Sequence, residues 1–259
     1  MSEFIRVESK EQIAVVTIDR QDKLNALNAQ VVEELGSVMA RVGADAEVRG
    51  VILTGAGEKA FVAGADIGVL AKMDPQAGVE ISRQGQRVFA EIERLGKPVL
   101  AAVGGFALGG GCELAMACHL RIASENAVFG LPEVGLGIIA GYGGTVRLAR
   151  LVGLGRALEM TLTGDMVKAE RAREMGLVSS VVPRAELMDE AMALMGRIVS
   201  KGPVALRLAM ESVYDGLDSG FAEAMRHESA LFGLLASTED MAEGMGAFLE
   251  KRKADFKGR

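Results

Sequence analysis

Short apolar runs and helical apolar stripes alternate along the first three quarters of the chain. Runs rich in β-branched residues predict strands at 13–19, 51–54 and 99–103. Between these runs, apolar residues at helical spacing predict helices over 31–42 and 81–95. Strands that alternate with helices are typical of the α/β class.

The alternation continues to about Pro183. The pattern predicts a glycine-broken helix from about Leu108, two strands between 120 and 129, and a further helix from Thr145. We therefore expect a β/α core, which we assign to residues 1–195.

Residues 196–259 are predicted to form a helical C-terminal region. A final helix is expected to begin at Ser237, where the S-x-x-D pattern with Asp240 resembles a capping box. Such an extension docks on a partner subunit or covers the core of its own chain. The last quarter of the chain has apolar stripes, which include Leu187, Ala191, Leu194, Ile198, Phe221, Met225 and Phe232.

Composition narrows the classes of function. The chain has 259 residues, of which 49% are hydrophobic, and a net charge of −6, which gives no general attraction to nucleic acid or anionic membranes. The cysteines Cys112 and Cys118 are too few for a disulfide framework, and His119 and His227 give no zinc-binding spacing. The N-terminus has neither a secretory nor a transit pattern. We expect a cytoplasmic protein without a bound metal.

Glu113 is the first candidate for chemistry. It carries the single charge of the segment 98–118, whose five glycines and opening proline favour a buried strand and helix over a membrane span. Burial raises the pKa of a carboxyl group, which suits it to accept and donate protons near neutrality. An ion pair with Lys97 or Arg121, or stabilisation by a helix N-terminus, is the structural alternative.

Glu133 is the second candidate. It lies in F-G-L-P-E-V-G-L-G, a loop punctuated by proline and glycine that is expected to lead from a strand toward the helix at Thr145. A solvated turn residue is the alternative. Together with Glu113, it predicts two carboxylates that hold one water molecule for general acid/base chemistry.

Two small-residue segments, 109–111 and 61–67, are candidates for presenting backbone amides to a ligand. Glycines directly before a helix direct their N–H groups and the helix dipole at developing negative charge. Such donors would form an oxyanion hole. Tight packing between a helix and a strand explains the same small residues.

Two other classes of function have weaker support. Residues 135–140 match the G-x-G-x-x-A fingerprint of nicotinamide-dependent oxidoreductases, but no strand leads into Gly135. Arg147, Arg150 and Arg156 form a basic cluster that would serve RNA binding or would be a solvated helix face. The chain also lacks a G-x-S-x-G nucleophile motif.

Long collinear segments of the chain resemble the enoyl-CoA hydratase/isomerase, or crotonase, family. They include KAFVAGADIG, KPVLAAVGGFALGGGCELAMACHLRIAS, FGLPEVGLGIIAGYGGTVRL and TGDMVKAERAREMGLVSSVVP. The resemblance implies a spiral of ββα units with a helical C-terminal region that builds trimers, and hexamers formed as dimers of trimers.

The resemblance also implies roles for individual residues. The amides of Ala65 and Gly110 would form the oxyanion hole for a thioester, and Glu113 and Glu133 would be the acid/base pair. The backbone of Gly141 would help to place the catalytic water. Contacts to coenzyme A (CoA) would come from Ala63, Gly64, Asp66, Ile67 and Gly68 and, in a neighbouring subunit, from Phe256 and Lys257.

The expected activity is hydration of a trans-2-enoyl-CoA to a 3-hydroxyacyl-CoA. The expected partners are the acyl-CoA substrate and further copies of the chain, and CoA belongs to the substrate rather than being a cofactor. Double-bond isomerisation is the alternative, since one glutamate suffices to move a proton. The chain departs from the family pattern at Gly104, at residues 138–140 and at Gly68, where a lysine that contacts CoA is often found.

Overall fold

The computed structural model describes residues 2–259, apart from the side chain of Val69. In this range the strands are β1 Ile5–Lys10, β2 Ile13–Ile18, β3 Gly50–Gly55, β4 Ala60–Val62, β5 Val99–Val103, β6 Phe106–Leu108, β7 Leu120–Ser124, β8 Val128–Gly130, β9 Val167–Lys168 and β10 Ser180–Val182. The helices are α1 Ala29–Ala44, α2 Ile67–Leu70, α3 Pro75–Glu93, α4 Gly110–Ala117, α5 Gly144–Val152, α6 Leu154–Thr163, α7 Ala169–Met175, α8 Leu187–Val199, α9 Pro203–Asp218, α10 Phe221–Leu235 and α11 Glu239–Leu249.

The strands form two sheets. The larger sheet has the order β1-β2-β3-β5-β7-β10. Its first pair is antiparallel and the other pairs are parallel. The smaller sheet has the order β4-β6-β8-β9, in which β4, β6 and β8 are parallel and β9 is antiparallel to β8. These sheets and helices confirm the predicted α/β class.

Both faces of the larger sheet are covered, which explains why its central strands are apolar at every position. On β3, Val51 and Leu53 face the main core, whereas Ile52 faces a second cluster on the opposite side. Helix α8 covers that second cluster with Leu187, Ala191, Met195 and Val199. The strands predicted over 13–19, 51–54 and 99–103 are confirmed.

Helices α8 to α11 follow β10, as predicted, but the last helix ends at Leu249 and residues 250–259 are not helical, so the helical region was predicted too long. The domain boundary expected after residue 195 falls within α8, which packs on the sheet, and the division itself stays a prediction. The expected start of the last helix is wrong by one residue, because Thr238, not Ser237, accepts a hydrogen bond from the Met241 N–H. Asp240 instead accepts hydrogen bonds from the N–H groups of Lys257 and Gly258 and thereby holds the C-terminal segment. Among the described residues, no helix combines the length and apolarity that a membrane crossing requires.

Candidate active site

The candidate site forms where three parallel strands end. Strands β4, β6 and β8 are neighbours, so their carboxyl ends lie at one edge of the smaller sheet. Residues 63–66 follow β4, the glycine turn and helix α4 follow β6, and Glu133 follows β8 on a short 3-10 helix, Pro132–Leu136. The sheet therefore brings together the three segments that the sequence analysis selected.

A cavity of about 570 Å³ opens at this edge. Both predicted carboxylates line it, and so do Ala65, Gly110 and Gly141. The remaining wall is mostly apolar and comes from α2, α3 and the loop after Glu133. Its side chains include Leu70, Met73, Val79, Ile81, Leu136, Ile138, Ile139 and Tyr142.

Glu113 lies in the first turn of α4 and is only 2% exposed. Its Oε1 accepts hydrogen bonds of 2.7 Å from the N–H groups of Tyr142 and Gly144. Gly144 begins α5, and a Cβ at this position would lie 2.8 Å from the Glu113 Cγ, so glycine permits the close approach. Burial raises the pKa of Glu113 to about 7, although the two amides favour its ionised form.

Of the structural alternatives for Glu113, ion pairs with Lys97 or Arg121 do not form, whereas its position in the first turn of α4 agrees with stabilisation by the helix N-terminus. Lys97 Nζ donates to the carbonyl groups of Val42 and Asp45. Arg121 donates to the carbonyl groups of Ala115 and Cys118, at the C-terminal end of α4, and to that of Leu177. Among residues 2–259, the Glu113 carboxylate therefore accepts hydrogen bonds from backbone amides alone, and it faces the cavity.

Glu133 is half-buried, and burial raises the pKa of its carboxyl group as well. Its Oε2 is buried without a hydrogen-bond partner among residues 2–259. The carboxylate lies against the turn that precedes α4, since a Cβ on Gly109 would come within 2.9 Å of the Glu133 Oε1. The two negative charges also repel each other, which contributes to the raised pKa of Glu113.

The amides of Ala65 and Gly110 border the same cavity. Within residues 2–259, neither N–H donates to another backbone or side-chain group. The neighbouring glycine has a packing role, because a Cβ on Gly111 would lie 1.9 Å from the carbonyl oxygen of Val62 on β4. Both readings of the glycine run thus apply, packing at Gly111 and a free amide at Gly110.

Comparison with known proteins gives the chain its family. Residues 8–259 match the model of the family described as enoyl-CoA hydratase/isomerase. The chain belongs to the enoyl-CoA hydratase/isomerase family. Among its relatives, a short-chain-enoyl-CoA hydratase of Clostridium acetobutylicum is 49% identical over 254 residues, which are 98% of this chain and 97% of the relative. A crotonyl-CoA hydratase of Syntrophomonas wolfei is 48% identical and covers 98% of both chains.

Solved structures agree with the fold that the family implies. The crystal structure of an enoyl-CoA hydratase from Bacillus anthracis matches with a TM-score of 0.96 at 40% identity. The match covers 99% of this chain and 100% of that one. The crotonase fold expected from the sequence is therefore confirmed.

The residues expected to contact CoA fall into two groups near the cavity. Ala63, Gly64 and Ile67 line it. Asp66 instead forms an ion pair of 3.1 Å with Arg20, which holds the pKa of its carboxyl group below the usual range. The amide of Gly68 donates to Asp66 Oδ1. Asp66 and Gly68 therefore stabilise the backbone of the segment 63–68 and do not line the cavity themselves.

Phe256 and Lys257 lie outside the cavity of their own chain. The Phe256 ring packs against Gly202 and Gly244, and the Lys257 Nζ pairs with Asp255 at the surface. Their expected contact with CoA concerns a neighbouring subunit and stays a prediction.

The other candidate functions lose their structural basis. Residues 135–140 end a 3-10 helix and enter a loop, with no strand leading into them, so the dinucleotide fingerprint is accidental. Two arginines of the basic cluster are paired, Arg147 with Glu93 and Arg150 with Asp218, and Arg156 donates to the carbonyl of Met175.

The roles of three residues that support Glu113 escaped the sequence analysis, which named Arg147 only as part of a basic cluster. Tyr142 and Gly144 act through backbone N–H groups, which carry no side-chain signature. Arg147 donates to the carbonyl of Tyr142 and to both carboxylate oxygens of Glu93. The glycines around Tyr142, directly before a predicted helix, were the available signal for amide donors.

Proposed function

We propose that this chain is an enoyl-CoA hydratase, a hydro-lyase that reversibly adds water across the C2–C3 double bond of a trans-2-enoyl-CoA. The observation that carries the proposal is a pair of carboxylates, the buried Glu113 and the half-buried Glu133, on one largely apolar cavity. The relatives named as short-chain-enoyl-CoA and crotonyl-CoA hydratases support the same substrate class.

In the proposed mechanism, the amides of Ala65 and Gly110 donate hydrogen bonds to the thioester oxygen. Negative charge develops on this oxygen as water attacks C3, and amides fixed before the reaction stabilise that charge without rearranging. Both amides have no competing acceptor within the described chain, which leaves them available to the substrate.

The two carboxylates divide the proton transfers. Glu113, whose Oε1 is fixed by two amides, uses Oε2 to take a proton from the attacking water. Glu133 delivers a proton to C2. In dehydration the two residues exchange roles, so Glu133 takes the proton from C2 and Glu113 gives one to the leaving water. We assign the acid to Glu133 because its Oε2 has no hydrogen-bond partner among residues 2–259. Two interacting acids share their titration, so the pair acts as a unit.

The backbone of Gly141 lies beside Glu113 on the cavity wall and completes the proposed water site. Ala63, Gly64 and Ile67 are proposed to follow the CoA part of the substrate. Hydration is redox-neutral, and the acids and amides supply its proton transfers and charge stabilisation. The proposal therefore includes no cofactor beyond the CoA of the substrate itself.

Product analysis tests the proposal. Purified protein is incubated with crotonyl-CoA, the conjugated-enoyl absorbance is followed, and the product is identified by mass spectrometry. We expect the absorbance to fall as 3-hydroxybutyryl-CoA, which is heavier by one water, appears. A product with a moved double bond and no gain in mass would show an isomerase instead, and no reaction with short or medium chains would reject the hydratase.

The proposal extends to a homotrimer or homohexamer in the cytoplasm. Phe221, Phe232 and Phe248 on the C-terminal helices are 83%, 79% and 81% exposed in the single chain. The predicted stripe of Phe221, Met225 and Phe232 is therefore exposed, whereas the predicted stripe of α8 covers the core of its own chain. Contiguous exposed apolar surface is typical of an interface.

A further inference from the structure

One peptide unit connects helix α3 to the catalytic carboxylate. The N–H of Tyr142 donates to Glu113, and the carbonyl of the same peptide unit belongs to Gly141. That carbonyl accepts a hydrogen bond of 2.6 Å from Ser82 Oγ and one of 3.0 Å from Gln86 Nε2. Gln86 Nε2 also lies 3.1 Å from Ser82 Oγ.

Ser82 and Gln86 are four residues apart on α3, so their side chains lie on one face of the helix. Ser82 is half-buried and lines the cavity beside Gln86. Hydrogen bonds to a peptide carbonyl polarise the whole unit and strengthen its N–H as a donor. The two side chains thus fix the orientation of the Tyr142 N–H and increase its attraction for the Glu113 carboxylate.

The following peptide unit is held by a separate contact. Arg147 Nη1 donates 2.8 Å to the Tyr142 carbonyl, and the Arg147 guanidinium pairs with Glu93 near the end of α3. The loop whose amides bind Glu113 is therefore fixed to α3 through two successive carbonyl groups, those of Gly141 and Tyr142. Ser82 and Gln86 act on the unit that contacts the carboxylate directly.

We propose that Ser82 and Gln86 are positioning residues for Glu113, acting through the Gly141–Tyr142 peptide unit. This role rests on the proposed function. It assigns to α3 a part in the proton transfer as well as in lining the acyl cavity.

The direction of the expected pH effect follows from the contact. A hydrogen bond from an N–H group favours the ionised carboxylate, so a weaker bond raises the pKa of Glu113. Glu113 must be ionised to act as a base, and the acid limb of the pH–rate profile therefore moves to higher pH. The other titratable groups that interact electrostatically with Glu113 are Glu133, Arg147, Cys112 and the Tyr142 hydroxyl, and the variants below leave all four in place.

The test compares Ser82→Ala, Gln86→Leu and the double variant with the wild type over a range of pH, using crotonyl-CoA. Gln84→Leu is the matched control, since Gln84 lies on the same helix outside the cavity and makes no hydrogen bond among the described residues. Ser82→Thr keeps the hydroxyl group and serves as the rescue variant. Thermal unfolding of each variant checks that the fold is intact.

We expect Ser82→Ala to move the acid limb upward by about 0.2 to 0.5 pH unit, because a bond to the peptide carbonyl strengthens the Tyr142 N–H as a donor by about 10–30%. At pH values below the limb, this shift lowers kcat about 2- to 3-fold. The double variant should show the larger shift. Gln84→Leu and Ser82→Thr should keep the acid limb of the wild type.

Two results would overturn the role. An acid limb that stays in place in the double variant, or a change in KM alone, would show that Ser82 and Gln86 do not position Glu113, and the hydratase assignment would stand. A wild type without hydratase activity would instead reject the proposed function and this role with it.

Discussion

Glu113 is subject to two opposing influences. Burial in the first turn of α4 disfavours its charge, whereas the amides of Tyr142 and Gly144 favour it, and burial has the larger effect. The result is a carboxyl group whose pKa, at about 7, matches the pH at which a general base works best. A solvent-exposed glutamate would be fully ionised at pH 7, and its lower pKa would make it a weaker base.

The first prediction concerns pH. We expect kcat/KM for crotonyl-CoA to rise through a limb near pH 7, because Glu113 must lose its proton in the free enzyme before it activates water. The profile is measured with initial rates at low substrate concentration. A rate that stays constant through this region would contradict the role of Glu113 as base.

The two acidic residues could be predicted from the sequence, but the groups that hydrogen-bond to Glu113 could not. Glu113 stood out because it is the single charge in an apolar, glycine-rich segment, and Glu133 because of its proline-glycine loop. The donors at Tyr142 and Gly144 are main-chain groups, and any residue type supplies them. Only the folded arrangement of α4 against α5 identifies them.

The elements differ in how well the pattern reveals them. Strands β2, β3 and β5 have five or six residues each and were predicted from their apolar runs. Strands β4, β6 and β8 have three residues each, too few to show a period, so β4 and β6 escaped the analysis. Yet these short strands build the edge that carries the site, because sheet pairing, not local propensity, places them.

A second prediction tests the packing of α8 on the larger sheet. A Cβ on Gly50 would lie 2.5 Å from Met195 Sδ and 2.8 Å from Val199 Cγ1. We expect Gly50→Ala to lower the free energy of unfolding by about 1–3 kcal/mol through overpacking. Urea unfolding at a fixed protein concentration measures the change.

Gly196→Ala is the matched control in the same helix. An added Cβ at Gly196 meets no atom within 4 Å, and alanine is the better helix former, so a gain of about 0.5–1 kcal/mol is expected. Equal changes in the free energy of unfolding for the two substitutions would contradict the close packing of α8 on Gly50.

For the whole molecule, the C-terminal helices leave large aromatic side chains in contact with water. A third prediction is that the protein is a trimer or hexamer in solution and that Phe232→Lys shifts it to smaller species. A lysine in place of a buried phenylalanine would put an unpaired charge in the interface. Sedimentation or light scattering gives the mass, with Glu8→Lys on β1 as the control. A monomeric wild type would contradict the proposed interface.

The assembly was the least accessible to sequence reasoning about single residues. The apolar residues Phe221, Met225 and Phe232 of α10 are compatible with covering the chain's own core or a partner, and the sequence left both possibilities open. Their exposure in the folded chain now favours a partner. The family resemblance, rather than periodicity, was the reason to expect trimers.

The central claim is that Glu113 and Glu133 work as one unit on a shared water, and a comparison of kcat for Glu113→Gln, Glu133→Gln and the double variant tests it most directly. Each single substitution should lower kcat for crotonyl-CoA by at least ~10²-fold, the scale of general acid/base catalysis. The double variant should lose much less than the product of the two single losses, because residues that act as a unit are not additive. The surface substitution Glu159→Gln should change little. Near-normal kcat in either single variant, with the fold intact, would contradict the account.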